Sequence, residues 1–381
     1  MKILYYVFNG RNSYSGINKK ILSQVNALKK LGYDTDLLYS DFLEDENQAV
    51  FVNDKPIFFY GKGIKAKIRK RIDYSFIVQQ VKNHNIDIIY IRHDMNASLF
   101  LINALKTIRK INLSIKILVE IPTYPYDKEF KYARWPDKVK LLLDKCYRKR
   151  YAKSIDSFVS FTSYPTIFGQ RNIEISNGVD FDSIPCIKRP LNKIKNNGVF
   201  NMISVSEVHY WHGIDRLIEG MALYYKNKGN NPDLLFHLVG RGYGAEYNKL
   251  VNLVKERKLE NRVVFYGNRN GDELNDVFEL SDLGIASLGR HRSGIDKIKT
   301  LKNREYAARG IPFVYSETDE DFENKEYIIK VPADETPIDI KLLITFYNNL
   351  NLTHNNIRSS IEGKLDWMIQ MKKVMDSILS K

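Results

Sequence analysis

The chain has few of the residues that build disulfide frameworks or metal sites. Its 381 residues include two cysteines, Cys146 and Cys186, which lie far apart and outside any CxxC or Cys/His spacing. Such a pair predicts neither a disulfide framework nor a structural zinc site. No run of about 18 apolar residues occurs, so we expect no membrane-spanning helix. The first apolar run, residues 3–8, is too short for a signal peptide and indicates a buried strand.

The chain also has fewer acidic residues than basic ones. The chain has 59 Lys and Arg against 45 Asp and Glu, a net charge of +14. This balance favours an anionic partner: nucleic acid, an anionic membrane or a phosphorylated small molecule. The 24 tyrosines and 19 phenylalanines keep nucleic acid open as a rival, because aromatic rings stack on bases. No helix-turn-helix, zinc-finger or RNP-type motif is present, so we expect no nucleic-acid partner.

Strand-like runs alternate with helical patterns through most of the chain. The predicted strands are residues 3–8, 35–39, 86–91, 115–120, 157–161, 200–205, 234–239, 262–266, 283–286 and 311–315. This alternation is typical of parallel sheets covered by helices on both faces. It is interrupted at residues 182–198, where two prolines, several asparagines and many lysines indicate a linker between two domains.

The most informative segment is residues 302–314, KNREYAARGIPFV. It predicts a helix that carries Glu305 and ends at Gly310, followed by a buried strand after Pro312. In an open α/β sheet, ligands bind near the carboxyl ends of the strands. A carboxylate there can accept two hydrogen bonds from neighbouring hydroxyls, such as those of a ribose. Taken alone, the segment is better explained as a helix-strand unit with a solvated glutamate.

Further segments, in order along the chain, resemble GT-B glycosyltransferases of family 4, the retaining group 1 enzymes. They are residues 15–18 at the start of a long helix, 173–180 (IEISNGVD), 239–244 with 262–267, and 304–312. The resemblance implies an α/β, GT-B fold with two doubly wound Rossmann-like domains facing across a cleft. It implies an acceptor domain at 1–185, a linker at 186–198 and a nucleotide-sugar domain at 199–365. The closing helix, 366–381, is expected to return to the first domain.

The resemblance implies a nucleotide-sugar substrate, UDP- or GDP-linked, with no further cofactor and no metal. Helix N-termini that follow glycine loops suit its diphosphate, because they offer free N–H groups and a positive dipole end. Glu305 would hold the ribose, and the main chain at Asn268 would hold the base. The implied donor-binding residues are Gly16, Ile17, Glu207, Arg241, Asn268, Arg269, Thr300, Leu301 and Glu305.

The chain departs from the family pattern at three positions. The first glutamate of the family's Glu-x7-Glu motif, which contacts the glycosyl group, falls on Lys297, so this carboxylate is either missing or replaced by Asp296. The two cations that neutralise the diphosphate fall on Glu207 and His212. Protonated His212 could stabilise the leaving diphosphate, since histidine changes charge near neutral pH; the alternative is a loop histidine bonded to main chain. The cations that could compensate are Arg241, Arg290, Arg292, Lys299 and Lys302.

The predicted catalytic residues are His212, Lys302, His93 and Glu120. His93 and Glu120 follow or end strands of the first domain, on the expected acceptor side. The alternatives are that His93 caps a loop and that Glu120 pairs with a basic neighbour. Catalysis is expected from positioning and from electrostatic stabilisation of the departing diphosphate, without a protein nucleophile.

A basic stretch in the first domain predicts an amphipathic helix. Ile64, Ile68 and Ile72 recur every four residues among lysines and arginines. Such helices bury an apolar stripe in a membrane surface and attract anionic lipid, although an ordinary core-facing helix has the same pattern. The residues predicted to face the membrane or acceptor are Lys65, Lys67, Arg69, Lys70 and Arg71. A second basic stretch, residues 138–153, is interpreted as an ordinary helix.

The predicted function is a retaining glycosyltransferase that moves a sugar to a saccharide acceptor, with a lipid-linked acceptor in bacterial surface-polysaccharide assembly as the finer hypothesis. The expected location is cytoplasmic, with peripheral binding to the inner face of the cell membrane. The alternatives are another GT-B enzyme, such as a hydrolysing epimerase, and a degenerate member that only binds its ligand.

Overall fold

The computed structural model describes residues 1–10, 16–130, 135–196, 198–240 and 244–380. The chain divides into two compact units. The first comprises Met1–Ser176 and Trp367–Lys381, and the second comprises Asn177–Asp366.

In the described part of the first unit, nine strands form one sheet. Their order is β4-β3-β2-β1-β5-β6-β7-β9-β8. The strands are β1 (Lys2–Val7), β2 (Asp34–Phe42), β3 (Gln48–Val52), β4 (Lys55–Gly61), β5 (Ile88–Arg92), β6 (Lys116–Ile121), β7 (Ser157–Ser160), β8 (Thr166–Ile167) and β9 (Gln170–Glu174). The run from β2 through β9 is parallel. Antiparallel β3 and β4 extend one edge as a hairpin that the sequence did not predict.

Helices cover both faces of this sheet. They are α1 (Gly16–Lys30), α2 (Gly63–Ile72), α3 (Ser75–Asn83), α4 (Leu99–Ile111), α5 (Trp135–Ala152) and, from the end of the chain, α12 (Trp367–Leu379). Alternate residues of β1 enter opposite cores, because successive side chains of a strand point to opposite faces. Leu4 and Tyr6 pack with α3 and α4, whereas Ile3 and Tyr5 pack with α1 and α12. The closing helix thus joins the first unit, as predicted.

The second unit contains a parallel sheet of six described strands. Their order is β12-β11-β10-β13-β14-β15. The strands are β10 (Val199–Val205), β11 (Asp233–Val239), β12 (Val263–Gly267), β13 (Leu283–Ile285), β14 (Phe313–Tyr315) and β15 (Ile328–Lys330). The helices are α6 (Ile214–Lys226), α7 (Ala245–Glu256), α8 (Gly271–Leu280), α9 (Leu301–Arg309), α10 (Ile340–Asn349) and α11 (His354–Glu362). The predicted pair of α/β units with parallel sheets is confirmed.

The boundary between the units differs from the predicted one. Residues 177–198, interpreted as the end of the first domain and a linker, belong to the second unit. Long-range hydrogen bonds hold them there: Arg358 donates to the carbonyls of Phe181 and Ile184, each at 2.7 Å. Arg189 likewise donates to the carbonyl of Glu279 at 2.7 Å.

Candidate functional site

Helix α9 begins and ends where the sequence predicts. Thr300 caps its first turn, with the Thr300 hydroxyl accepting a hydrogen bond from the Asn303 amide at 3.4 Å. Gly310 ends the helix with φ of 79°, a left-handed conformation that favours glycine. The following strand, β14, is buried throughout. The four backbone N–H groups at the start of α9 are therefore positioned at the carboxyl edge of the second sheet.

A buried arginine fixes the start of α9. The Arg304 guanidinium donates to the carbonyls of Asn177 and Thr300, at 3.1 and 3.0 Å. It also donates to Asp319 Oδ1 at 3.0 Å and contacts Asp321. Because Asp319 lies in the loop after β14, Arg304 locks that loop to the helix start.

Glu305 lies one turn into α9 with its side chain 27 % exposed. Arg309 donates to Glu305 Oε1 from Nε at 3.2 Å and from Nη2 at 3.1 Å. Arg309 is itself held by Asn275 and lies 4.0 Å above the ring of Phe278. Both of these hydrogen bonds are to Oε1, so Oε2 of Glu305 is not occupied by Arg309. A contact between Glu305 and ribose stays a prediction.

The turn that carries His212 is fastened to a neighbouring loop. Gly213 has φ of 63°, and a Cβ there would lie 2.6 Å from the backbone nitrogen of Gly289. The amide of Leu288 donates to the carbonyl of His212 at 2.8 Å. These close backbone contacts hold the buried His212 imidazole in place.

His212 is a neutral imidazole in this setting. Burial, Lys302 and Arg290 together lower the pKa of His212 well below its usual value. The hypothesis that protonated His212 stabilises a leaving diphosphate is therefore corrected: the nearby cations carry the positive charge. In the described part of the chain, His212 Nδ1 has no hydrogen-bond partner.

Lys302 supplies positive charge beside His212. Its Nζ is buried and makes no hydrogen bond to any described residue. Burial lowers the pKa of Lys302 to about 7, with Glu317 opposing and Arg290 reinforcing that shift. Lys302 and Arg290 are thus the two compensating cations that the structure brings to His212.

The other candidate cations are neutralised elsewhere. Arg292 makes two hydrogen bonds to Asp215, at 2.9 and 2.7 Å, and also pairs with Glu335. Lys299 lies 3.9 Å from Glu320, and Lys297 forms an ion pair with the same glutamate. Lys297, which stands at the position of the motif's first glutamate, is therefore paired with Glu320 and supplies no carboxylate there. Arg241 lies outside the described residues.

Sequence reasoning missed Glu317, a buried carboxylate in the loop after β14. Glu317 is 2 % exposed, and no other described residue donates a hydrogen bond to either of its carboxylate oxygens. Burial raises the pKa of Glu317 to about 7. It lines a cavity of about 550 Å³ together with Arg290 and the exposed Asp296. Its position just beyond a buried strand was the one signal in the sequence.

The remaining donor candidates of the second unit lie on exposed loops. Glu207 follows β10, and Asn268 and Arg269 follow β12. Arg269 donates to the carbonyl of Asn268 at 3.0 Å and lies 3.8 Å from Glu273. All three are at strand carboxyl ends, as predicted. The backbone of Glu207 is hydrogen-bonded to His212, which agrees with the alternative of a loop histidine bonded to main chain.

A separate cavity of about 380 Å³ lies within the first unit. The ends of β1 and β5 and the first turn of α1 line it. It brings together Ile17 and His93, two residues predicted for different roles; Gly16 begins α1 beside Ile17. His93 Nε2 lies 3.2 Å from Asp144 Oδ1, so His93 packs against a buried aspartate that the sequence did not indicate.

Glu120 is fully buried at the end of β6 and is saturated with partners. Arg92 and Lys20 contact Oε1 at 2.5 and 3.1 Å, while Gln24 and Tyr90 donate to Oε2 at 2.6 and 2.8 Å. Burial alone would raise its pKa, but these neighbours hold the pKa of Glu120 below its usual value. Neither oxygen is left for a substrate, so the predicted catalytic role is corrected to a structural one.

Helix α2 turns its apolar stripe towards solvent. Ile64, Ile68 and Ile72 are 76 %, 55 % and 43 % exposed, and Ala66 is the buried residue of the helix. The basic residues that share the exposed surface are Lys65, Lys67 and Arg69. The alternative of a core-facing helix is therefore excluded.

Two of the predicted surface cations turn away from this exposed face. Lys70 Nζ and the Arg71 guanidinium lie 4.6 and 4.9 Å from the ring of Phe8. Burial lowers the pKa of Lys70 to about 8. Lys70 and Arg71 are half-buried, so we remove them from the set predicted to face a membrane.

The described ranges contain neither a membrane-spanning helix nor a cluster of metal ligands. No helix there is both long and apolar enough to cross a bilayer. Within the same ranges, no group of three His, Cys, Asp or Glu side chains is arranged to hold a metal ion.

Comparisons with known proteins agree with this architecture. Residues 190–319 match the family described as "Glycosyl transferases group 1". No curated protein sequence matches the chain.

Similar solved structures include sucrose-phosphate synthase from Thermosynechococcus elongatus, with TM-score 0.67 and 15% identity, covering 100% of this chain and 99% of that one. A glycosyltransferase from Rickettsia africae has TM-score 0.66 and 16% identity, with coverage of 100% and 99%. Anabaena HepE in complex with UDP has TM-score 0.55 and 15% identity, with 100% coverage of both chains. The chain therefore has the fold of GT-B glycosyltransferases, and residues 190–319 of its second unit are similar to the group 1 glycosyl transferase family.

Proposed function

We propose that the protein is a glycosyltransferase that takes a sugar from a nucleotide-sugar donor bound to the second unit. One observation carries the proposal: Lys302 Nζ is buried without a hydrogen-bond partner among the described residues, at the start of α9 and within the matched domain. A buried ammonium without a partner is costly in the ligand-free protein, and an anionic ligand would offset that cost.

The diphosphate of the donor fits this charge. It would lie against Lys302 and Arg290, where the positive end of the α9 dipole adds to the attraction. When the glycosidic C–O bond breaks, the nucleotide diphosphate leaves with additional negative charge. Fixed cations and N–H groups that already face the leaving oxygen stabilise that charge without reorganising. Neutral His212 contributes a ring N–H at most, since its pKa is well below neutral.

The nucleotide is proposed to be UDP or GDP, with Glu305 holding the ribose. Glu305 is partly exposed on α9, and a single residue, Arg309, occupies one of its oxygens. HepE, a structural relative, was solved in complex with UDP. The resemblance to family 4 motifs supports transfer with retention of configuration and without a resident metal.

The acceptor is proposed to be a saccharide that binds the first unit at the 380 Å³ cavity. His93 and Ile17 line that cavity, and Asp144 holds His93 from behind. A lipid-linked acceptor of bacterial surface-polysaccharide assembly would suit a cytoplasmic enzyme that rests on the inner face of the membrane.

The exposed face of α2 supports that membrane position. Three isoleucines share the exposed face of the helix with Lys65, Lys67 and Arg69. Apolar side chains can enter the lipid interface while each cation near an anionic surface contributes about 1 kcal/mol. The +14 net charge of the chain acts in the same direction.

The donor is tested by thermal shift of the purified protein with UDP-, GDP-, dTDP- and ADP-sugars. We expect one nucleotide series to raise the unfolding midpoint, because a ligand that binds only the folded state stabilises it. Product analysis with and without a saccharide acceptor then distinguishes transfer from hydrolysis or epimerisation of the donor. Binding without any turnover would favour the degenerate, binding-only alternative, and no binding by any nucleotide sugar would contradict the proposal.

The membrane position is tested by liposome flotation with and without anionic lipid. We expect co-flotation with anionic vesicles, and its loss in the variant Ile64→Ser/Ile68→Ser. Leu342→Ser, which removes an exposed leucine of the second unit, is the matched control. Equal flotation of all three proteins, or none with either vesicle, would contradict membrane binding by α2.

A further inference from the structure

Glu317 is held in place by its backbone neighbours. The amide of Ser316 donates to the carbonyl of Ser287 at 3.0 Å, and the amide of Thr318 donates to the carbonyl of Asp296 at 2.7 Å. The amide of Ile298 returns a hydrogen bond to the carbonyl of Thr318 at 3.0 Å. Glu317 thus lies between two residues whose backbones are paired to neighbouring segments, so the position of its own backbone is fixed.

The carboxylate of Glu317 is buried without the partners that buried carboxylates normally have. Arg290 and Lys302 attract its charge, and Asp319 repels it. Lys302 and Glu317 influence each other but are not hydrogen-bonded to each other. Buried polar groups without hydrogen bonds are rare in folded proteins and call for a specific explanation. A ligand that donates hydrogen bonds to Glu317 and presents negative charge to Lys302 would satisfy both groups at once.

The cavity beside Glu317 is large enough for such a ligand. Its volume of about 550 Å³ lies within the range of small-molecule sites, about 300–1,000 Å³. Its walls combine the cationic residues Arg290 and Lys330 with the hydroxyl and carboxylate residues Ser316, Glu317, Thr318 and Asp296. This mixture of cations and hydrogen-bond acceptors suits a group rich in hydroxyls next to a phosphate.

We propose that Glu317 recognises the glycosyl group of the donor by accepting hydrogen bonds from its hydroxyls, while Lys302 binds the adjoining phosphate. This inference rests on the proposed function and adds the residue that selects the sugar. The neighbouring acidic residue, Asp296, is exposed, and Lys297 is paired with Glu320. Glu317 is therefore the carboxylate of this loop pair that is buried and receives no hydrogen bond from any other described residue.

The test compares each nucleotide sugar with its nucleotide diphosphate, which lacks the sugar and ends in a free phosphate. Calorimetry is carried out with UDP-glucose against UDP, and with GDP-mannose against GDP, on the wild type and on Glu317→Gln. We expect the variant to bind the nucleotide sugar at least about tenfold more weakly, the cost of one hydrogen bond to a charged group. Its affinity for the nucleotide diphosphate should stay within about twofold.

The controls separate this inference from the proposed function. Glu256→Gln, which changes an exposed carboxylate at the end of α7, should leave both affinities unchanged. Glu317→Asp should weaken sugar-nucleotide binding, because the shortened carboxylate no longer reaches. Equal losses for both ligands in Glu317→Gln, no loss for either, or the same sugar-specific loss in Glu256→Gln would overturn the inference while the donor site stands. Absence of nucleotide binding by the wild type would overturn both. If Glu317→Gln does not fold, Glu317→Asp and the two ligands give the same comparison.

Discussion

Two buried glutamates, one in each unit, have opposite surroundings. Glu120 lies at the end of β6 with four side chains on its carboxylate, and Glu317 lies just beyond β14 with no hydrogen bond from any other described residue. The pKa of Glu120 is lowered, whereas that of Glu317 is raised to about 7. Both residues are buried glutamates at or just beyond the carboxyl end of a parallel strand. The two carboxylates differ in their hydrogen-bond partners, and this difference is why we interpret Glu120 as structural and propose a ligand for Glu317.

Two buried lysines show the same contrast. Lys20 contacts Glu120 at 3.1 Å and lies 3.6 Å from the ring centre of Phe161. Lys302 Nζ has no hydrogen bond to any residue in the described ranges. In the first unit the charges hold α1 to the sheet, and in the second unit we propose that they meet a ligand.

The largest expected effect is on the stability of the first unit. Lys20→Met removes one partner of a buried ion pair and leaves Glu120 with less compensation, which should cost about 3–5 kcal/mol of unfolding free energy. Lys302→Met removes a buried charge that has no hydrogen-bonded partner, so stability should be unchanged or higher.

Urea denaturation, followed by tryptophan fluorescence, measures both variants. Lys29→Met, at the exposed end of α1, is the control for the loss of a positive charge. A comparable loss of stability in Lys302→Met would show that the second cluster is structural too.

A second prediction concerns Glu305. Glu305→Ala should weaken donor binding by roughly tenfold to a hundredfold, the value of a hydrogen bond to a charged group. The lost ion pair with Arg309 should cost at most about 1 kcal/mol of stability, because the pair is partly exposed.

Calorimetry with the nucleotide identified by thermal shift measures this effect. Glu219→Ala is a matched control, since Glu219 pairs with Arg257 on an exposed surface of the same unit. Donor affinity that is the same in Glu305→Ala and in the control would defeat the assignment of the ribose contact.

The smallest expected effect is on the pH dependence of donor affinity. Lys302, with pKa of about 7, loses its charge as pH rises, and Glu317, also with pKa of about 7, gains a negative charge. The charge lost by Lys302 weakens its attraction for the phosphate. The charge gained by Glu317 repels the phosphate but strengthens the hydrogen bonds that Glu317 accepts from the sugar, so we assign the net change to Lys302. His212 stays neutral through this range. Affinity should therefore fall by about tenfold between pH 6 and pH 8.

A nucleotide sugar is the right ligand for that titration, because its phosphates are diesters that keep their charge between pH 6 and pH 8. Lys302→Met should bind more weakly at pH 6 and show a shallower fall towards pH 8. A wild-type affinity that is constant over this range would contradict the placement of Lys302 at the phosphate.

The sequence predicted what local rules decide. The alternation of strands and helices gave two α/β units with parallel sheets, and Thr300 and Gly310 marked the ends of α9 because caps are local. The boundary at residues 177–198 was missed because it depends on hydrogen bonds from Arg358, which lies more than 150 residues away in sequence.

The site was predicted less completely, for a related reason. Whether Glu120 or Glu317 has partners is decided by side chains from distant segments, and no spacing in the sequence reveals it. The same holds for α2, whose isoleucine stripe fits a core-facing helix as well as an exposed one. Departures from the family motif did point to Lys302 and Arg290, the two cations that lie beside His212.

The measurement that tests the account most directly is calorimetric titration of UDP and GDP into the wild type and Lys302→Met. We predict that one nucleotide binds the wild type and that the variant binds it at least about tenfold more weakly, with its fold intact. Equal affinity of the two proteins would contradict the claim that the unpartnered charges of the second unit form the donor site.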